Sequence, residues 1–150
     1  MNAALGLAQY ERLDEILLNR RRIAQQYIER LMTNRFLILP TLLETTQLSW
    51  FVFVVRLNDL FEPGDRDDVM LALREEGIGC NNYFPPIHLQ KYMVERFGYK
   101  PGDFPVCEYV SARTLALPFF ANLTRHQVER VCDVLEQTLE TILVARKGRF

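Results

Sequence analysis

Apolar residues return every three or four positions along the first 34 residues, with charged and amide side chains between them. This spacing matches the turn of an α-helix and predicts one amphipathic helix over residues 2–34. At about 1.5 Å per residue, such a helix is roughly 45–50 Å long, more than a small domain usually needs. Because its small apolar first turns begin abruptly, we expect the helix to belong to a larger protein. The apolar positions are Leu5, Ala8, Leu13, Ile16, Leu17, Ile23, Ala24, Tyr27, Ile28 and Leu31.

Three later segments have the composition of β-strands. Residues 49–57 are a nearly continuous run of β-branched and aromatic residues, which predicts a buried central strand. Residues 78–81 and 114–117 predict two shorter strands. Helices are expected at residues 66–76, at residues 89–97, in a short segment that begins at Pro105, and after Thr124. The order of these elements predicts a small sheet covered by helices.

The last helix has the clearest local signal in the chain. Thr124 and Gln127 have the spacing of a capping box, in which each side chain bonds to the backbone N–H of the other residue. Leu123 and Val128 have the spacing of the hydrophobic contact that often accompanies such a box. The sequence therefore predicts that a helix begins directly after Thr124.

The composition suits one globular domain. Of 150 residues, 49% are hydrophobic and 25% are charged, which is enough apolar surface for a core and argues against disorder. The net charge of −1 argues against a nucleic-acid partner. No leader peptide is expected, and the longest apolar run, Trp50–Val55, is too short to cross a membrane. We therefore expect a cytoplasmic protein with reduced cysteines and no membrane partner.

Candidate catalytic chemistry is sparse. Cys80 and His88 could pair as a thiol nucleophile and its base, but a cysteine at the end of a short strand is better explained as a small buried residue. The histidines and cysteines lack the spacing of zinc ligands. None of the three lysines, Lys91, Lys100 and Lys147, lies in a motif that would make it a nucleophile. The sequence predicts no catalytic residue and no metal site.

The segment Tyr83–His88, with the sequence YFPPIH, is the best candidate for a binding surface. Pro85 and Pro86 restrict the backbone, which lowers the entropy cost of holding Tyr83 and His88 in place. Loops held in this way often carry function. The alternative is that the aromatic rings fill the core and His88 hydrogen-bonds a nearby carbonyl group. The residues alone favour neither interpretation.

Several strings occur in a fixed order along the chain: AALGLAQYERLDEIL at the start, then Gly77-Ile78, YFPPIHLQ, FGYKPGDFPVCE and LALPFF. They resemble those of the pyridoxal-phosphate-dependent sugar aminotransferases of the DegT/DnrJ/StrS family, which have fold type I. The resemblance covers the chain from about Ala3 to Leu143 and gains strength from the conserved order of the strings. It implies that residues 1–34 are the long interdomain helix and that residues 35–150 are the small C-terminal domain.

The resemblance also implies what the intact enzyme does. Family members convert a keto group on a nucleotide-linked sugar to an amine, usually with glutamate as donor and with pyridoxal phosphate as cofactor. Because the cofactor lysine belongs to the large domain, the resemblance implies that this chain lacks catalytic residues and binds no cofactor by itself. The implied fold is α+β, with a three- to four-stranded, largely antiparallel sheet packed on helices. The implied partners are the missing large domain and a second copy in a homodimer.

The resemblance places Asn82, Tyr83 and His88 where the small domain borders the sugar, and so implies that they bind substrate. Buried polar groups suit this task because a wrong substrate leaves them without hydrogen-bond partners. A second hypothesis is a free-standing module of the same fold, which binds a ligand or another protein without catalysis. It follows from the apolar face of residues 2–34, which would attract a partner when the domain stands alone.

Overall fold

The computed structural model describes residues 2–41 and 45–147. The elements in these ranges are α1 (Asn2–Glu11), α2 (Leu13–Leu31), β1 (Leu37–Ile38), β2 (Phe53–Leu57), α3 (Asp65–Glu75), β3 (Asn81–Asn82), a 3₁₀ turn (Ile87–Leu89), α4 (Lys91–Phe97), α5 (Pro105–Ser111), β4 (Thr114–Leu117) and α6 (Arg125–Lys147). None of these helices combines the length and the apolar run that a bilayer crossing requires.

The described strands form one antiparallel sheet in the order β1-β2-β4-β3. This arrangement confirms the predicted α+β fold with a small antiparallel sheet. Strand β2 is central, as predicted, but it begins at Phe53 rather than at Ser49 because Trp50 has a positive φ of 49°, which interrupts the extended backbone. The strand predicted at residues 78–81 is wrong in its bounds, because β3 comprises only Asn81 and Asn82 and overlaps the prediction at one residue.

The core lies between one face of the sheet and helices α2, α3 and α6. Alternate residues of β2 are buried, and Phe53 and Val55 pair with Leu117 and Leu115 of β4, which are also buried. Tyr27 of α2 stacks on Phe53 with ring centroids 4.8 Å apart. These contacts place β4 in the middle of the sheet. The segments that precede and follow β4 are therefore attached to the core.

The prediction of one helix over residues 2–34 is wrong in its bounds. The helix is interrupted at Arg12, where φ and ψ are −104° and 8°, and it ends at Leu31. No residue of α1 is buried, so no packing force holds α1 in line with α2. At the other end, the Asn34 side chain accepts a hydrogen bond from the Phe36 N–H, which turns the chain toward β1.

The ends of α3 and α6 follow the local signals in the sequence. Gly77 has a φ of 75° and the Ile78 N–H donates to the Leu73 carbonyl at 2.8 Å, which closes α3 in the left-handed conformation that suits glycine. The capping box is confirmed, because the Thr124 N–H donates to Gln127 Oε1 and the Gln127 N–H donates to Thr124 Oγ1.

Candidate functional site

Two segments face each other across an open groove of about 750 Å³. The first is the loop 83–87, which follows the edge strand β3. The second runs from residue 103 through α5. The lining is largely apolar and includes three side chains from each segment besides the prolines: Tyr83, Phe84 and Ile87 from the first, and Phe104, Val106 and Val110 from the second. The groove therefore lies where the sequence predicts a binding surface.

The prolines explain why both segments keep their shape. Pro86 has φ and ψ of −53° and 124°, the extended conformation that proline favours. Pro105 begins α5, where its missing N–H and fixed φ suit the first position of a helix. The two sides of the groove are thus stiff before any ligand binds.

Phe84 has a strained backbone at the mouth of the groove. Its φ is 54°, in the left-handed region that bulky residues rarely adopt, and its side chain is 66% exposed. The Ser111 hydroxyl donates to the Phe84 carbonyl oxygen at 2.9 Å. This hydrogen bond from α5 stabilises the left-handed backbone conformation of Phe84.

Asn82 and Tyr83, two of the predicted site residues, lie at the edge of the sheet. Asn82 is exposed and pairs with Leu115 of β4. Tyr83 is partly buried, lines the groove, and has its ring centroid 5.0 Å from that of Phe84. Of these two residues, Tyr83 lines the groove, and Asn82 directly precedes it on the edge strand.

His88, the third predicted site residue, lies behind the groove. It is only 7% exposed, and its ring packs against Phe104 and Tyr99 with centroids 4.7 and 6.3 Å apart. Its Nε2 atom is 3.0 Å from Glu108 Oε1. The partner is a carboxylate, not the carbonyl group considered from the sequence, and the contact joins α5 to the residue that follows the loop 83–87.

Glu108 is a functional candidate that sequence reasoning missed. Besides His88, its carboxylate accepts hydrogen bonds from the N–H groups of Gly102 and Phe104. The pKa of the Glu108 carboxyl lies below its ordinary value, chiefly because of the Gly102 N–H and further because of His88 and Phe104. An acid in the first turn of a helix is a recognisable signal, but nothing in the sequence links it to His88.

A cluster of positive charge adjoins the far side of α5. The Arg113 guanidinium lies 4.0 Å from the centroid of the Tyr109 ring, and that of Arg56 lies 5.7 Å from the same centroid. The Tyr109 hydroxyl donates to Asp59, and this hydrogen bond is the main reason that the pKa of Tyr109 is raised. The contacts attach α5 to the central strand β2 through Arg56.

The described residues contain no arrangement suited to covalent or metal-assisted catalysis. Cys80 is buried, its Sγ lies 3.6 Å from the Met70 carbonyl oxygen, and burial raises its pKa, which disfavours the nucleophilic thiolate. Within these ranges no cluster of His, Cys, Asp or Glu could hold a metal ion. Lys91 and Lys100 are exposed, and Lys91 is paired with Glu95.

The chain is similar to known proteins over most of its length. A sequence model of the DegT/DnrJ/EryC1/StrS aminotransferase family matches residues 1–136. The spore coat polysaccharide biosynthesis protein SpsC of Bacillus subtilis (strain 168) is 30% identical over 141 residues, which are 93% of this chain and 36% of SpsC. The chain therefore spans little more than a third of this curated relative.

Solved structures share the fold. The aminotransferase TlmJ from Streptoalloteichus hindustanus is 27% identical, with a TM-score of 0.80 over 93% of this chain and 36% of TlmJ. DesI, solved in the presence of its TDP-sugar product, is 23% identical, with a TM-score of 0.79 over 99% of this chain and 38% of DesI. In both, the match again covers little more than a third of the relative.

Proposed function

Because the chain belongs to the DegT/DnrJ/EryC1/StrS aminotransferase family, we propose that it is the small-domain portion of a pyridoxal-phosphate-dependent nucleotide-sugar aminotransferase. The observation that carries the proposal is the family match over residues 1–136, in a chain that spans only 36% of SpsC. In the intact enzyme the chain would cover the substrate side of the active site. Glutamate is the proposed donor, a homodimer the proposed assembly, and the cytoplasm the proposed compartment.

A nucleotide-linked sugar is the proposed substrate. The presence of a TDP-sugar with DesI supports this class of substrate for the family fold. In this chain, Tyr83 lines the groove and Asn82 is the exposed residue before it, and we propose that their polar side chains bind sugar hydroxyls. His88 would act at the same site, although its burial leaves it less accessible to a ligand than these two residues.

The two lysines whose side chains the structure describes do not fit the cofactor. Pyridoxal phosphate chemistry needs a lysine amine that bonds to the cofactor within a shaped pocket. Lys91 and Lys100 are exposed, and the Lys91 amine lies 3.8 Å from Glu95 Oε1, so neither has such a setting. We therefore propose that the cofactor is held by the part of the enzyme outside this chain, and that this chain alone neither binds the cofactor nor transfers an amine.

The first experiment reads the DNA immediately upstream of the Met1 codon. We expect an in-frame coding sequence for a large domain with a cofactor lysine. The whole product should then absorb in the visible and transfer an amine to a nucleotide-linked keto sugar. A stop codon immediately upstream would contradict the proposal.

A second experiment uses this chain itself. The purified chain is mixed with pyridoxal phosphate, passed through gel filtration and examined for a visible absorption band. We expect no band. A band that survives gel filtration and becomes covalent on borohydride treatment would refute the claim that the chain is inert toward the cofactor.

The site assignment is tested in the whole product by Tyr83→Phe and His88→Ala, with Tyr92→Phe on α4 as the control. If the side chains contact the sugar, the first two variants raise the KM for the sugar or lower kcat, while the half-reaction with the amino donor is unchanged. The exposed Tyr92 should have no effect on either parameter. Unchanged kinetics for both site variants would show that these residues are structural only.

A free-standing binding module is the second candidate function. The observation that favours it is the exposure of apolar residues on α1, where Leu5, Leu7 and Tyr10 are 64%, 60% and 72% exposed. Such a surface should drive self-association or recruit a protein partner. Light scattering of the purified chain tests this candidate, and a clean monomer at high concentration counts against it.

A further inference from the structure

Glu108 contacts the segment that leads into α5 and also His88, which directly follows the loop 83–87. Its carboxylate accepts the Gly102 N–H at 2.9 and 3.0 Å and the Phe104 N–H at 3.3 Å, which ties down the segment that leads into α5. The same carboxylate lies 3.0 Å from Nε2 of His88, in the 3₁₀ turn that follows the proline loop. One side chain on a short helix thus joins these two parts of the chain.

The chemistry of this contact fixes the state of the imidazole. An ionised carboxylate can only accept hydrogen bonds, so Nε2 of His88 must carry the hydrogen. A neutral His88 is therefore held as the Nε2–H tautomer. The buried ring also packs against Phe104 and Tyr99, so a rotation of the imidazole would disturb these aromatic contacts.

The proline loop has a second attachment to the same helix. Ser111, one turn after Glu108, donates to the Phe84 carbonyl oxygen. The loop from Phe84 to His88 is thus held by α5 at both ends. Because Phe84 has a strained, left-handed backbone, its position depends on these attachments rather than on its own preference.

We propose that Glu108 is the positioning residue of the groove and acts through His88 to set where Tyr83 and Phe84 stand. In this proposal, His88 transmits the position of Glu108 to the loop that carries Tyr83 and Phe84. This proposal rests on the proposed function only for the identity of the ligand. The positioning role itself is a property of the chain.

The test compares Glu108→Gln with a matched control, Glu95→Gln, in the 150-residue chain. Glu95 lies on α4, is exposed, and is paired only with Lys91 among the described residues. Glutamine keeps the size of Glu108 but removes the charge, and its amide can donate as well as accept, so His88 is no longer restricted to one tautomer. The ring nitrogen chemical shifts of His88 report the tautomer directly.

Amide hydrogen exchange supplies the second readout. In Glu108→Gln we expect exchange to become faster by about tenfold or more in two stretches, while β4 and α6 keep wild-type protection. These are residues 83–90, which comprise the proline loop and the 3₁₀ turn, and residues 99–104, which lead into α5. Glu95→Gln should leave the tautomer and the exchange rates at wild-type values. Should Glu108→Gln fail to fold, Glu108→Asp, which keeps the charge on a shorter side chain, is measured in the same way.

Two results would overturn the proposal. One is an unchanged His88 tautomer together with unchanged exchange in the loop 83–90. The other is faster exchange confined to residues 99–104, which would reduce Glu108 to a local cap of α5. Neither outcome depends on what the groove binds, so failure here is distinguishable from failure of the proposed function, which the kinetics of Tyr83→Phe test separately.

Discussion

Tyr27→Phe removes one buried hydrogen bond without changing the packing of the core. Tyr27 is fully buried and stacks on Phe53, and its hydroxyl donates to the Pro118 carbonyl oxygen at 2.8 Å. A hydrogen bond of this kind contributes about 1 kcal/mol net to the free energy of unfolding. For a chain of this length the variant should therefore melt about 2–4 °C below the wild type at pH 7.

The same substitution should have a smaller effect at high pH. Burial raises the pKa of the Tyr27 phenol well above its ordinary value, with the neighbouring Cys132 adding to the shift. The unfolded chain ionises this tyrosine near pH 10, so above that pH it binds fewer protons than the folded chain and stability falls as pH rises. At pH 10.5 the wild type should have lost about 0.8 kcal/mol through this residue. The phenylalanine variant loses nothing at this position.

The assay is urea unfolding of both proteins, followed by circular dichroism, at several values between pH 7 and pH 10.5. We expect the gap in unfolding free energy to shrink from about 1 to about 0.2 kcal/mol over this range. Tyr10→Phe is the control, because Tyr10 is 72% exposed and its loss should matter at neither pH. A gap that stays constant with pH would refute the reasoning about the buried phenol.

Two further predictions concern the stability of α6 and the reactivity of the thiols. Thr124→Ala breaks the capping box and should therefore lower the unfolding free energy by about 1 kcal/mol in urea titrations. The control, Thr141→Ala on the exposed face of α6, should change it by less than about 0.5 kcal/mol, and equal effects of the two variants would count against the cap. A thiol reagent at pH 7 should label the exposed Cys107 but not the buried Cys80 and Cys132. Burial raises the pKa of both buried thiols, that of Cys132 to about 12, so labelling of all three cysteines at one rate would contradict this prediction.

Elements with a local signal were predictable from the sequence. The bounds of β4 agree with the predicted residues 114–117, and the ends of α3 and α6 follow Gly77 and the capping box at Thr124. Strand β1 was not predicted, because a strand of two residues has no period to recognise. It forms because Leu37 and Ile38 can pair with the end of β2, which is a tertiary contact.

The loop that the sequence singles out as a binding surface lines the groove, and its role in binding stays a prediction. The two prolines in the sequence point to restricted backbone in this loop, and Pro86 has the extended conformation that proline favours. The link between His88 and Glu108 joins residues 20 positions apart through a groove that exists only in the fold. A sequence pattern shows which residues have a restricted backbone. The hydrogen-bond partner of a buried imidazole depends instead on tertiary packing, which brings distant segments of the chain together.

The position of the groove in the fold connects its lining residues to the buried core. Helix α5 leads directly into β4, whose Leu115 and Leu117 pair with the buried residues of β2. Glu108 and Ser111 on that helix in turn hold the proline loop. The exposed ring of Phe84 is therefore connected to the buried core of the molecule through one short helix. A strained residue, which costs on the order of 1–3 kcal/mol, persists only when its surroundings determine it in this way.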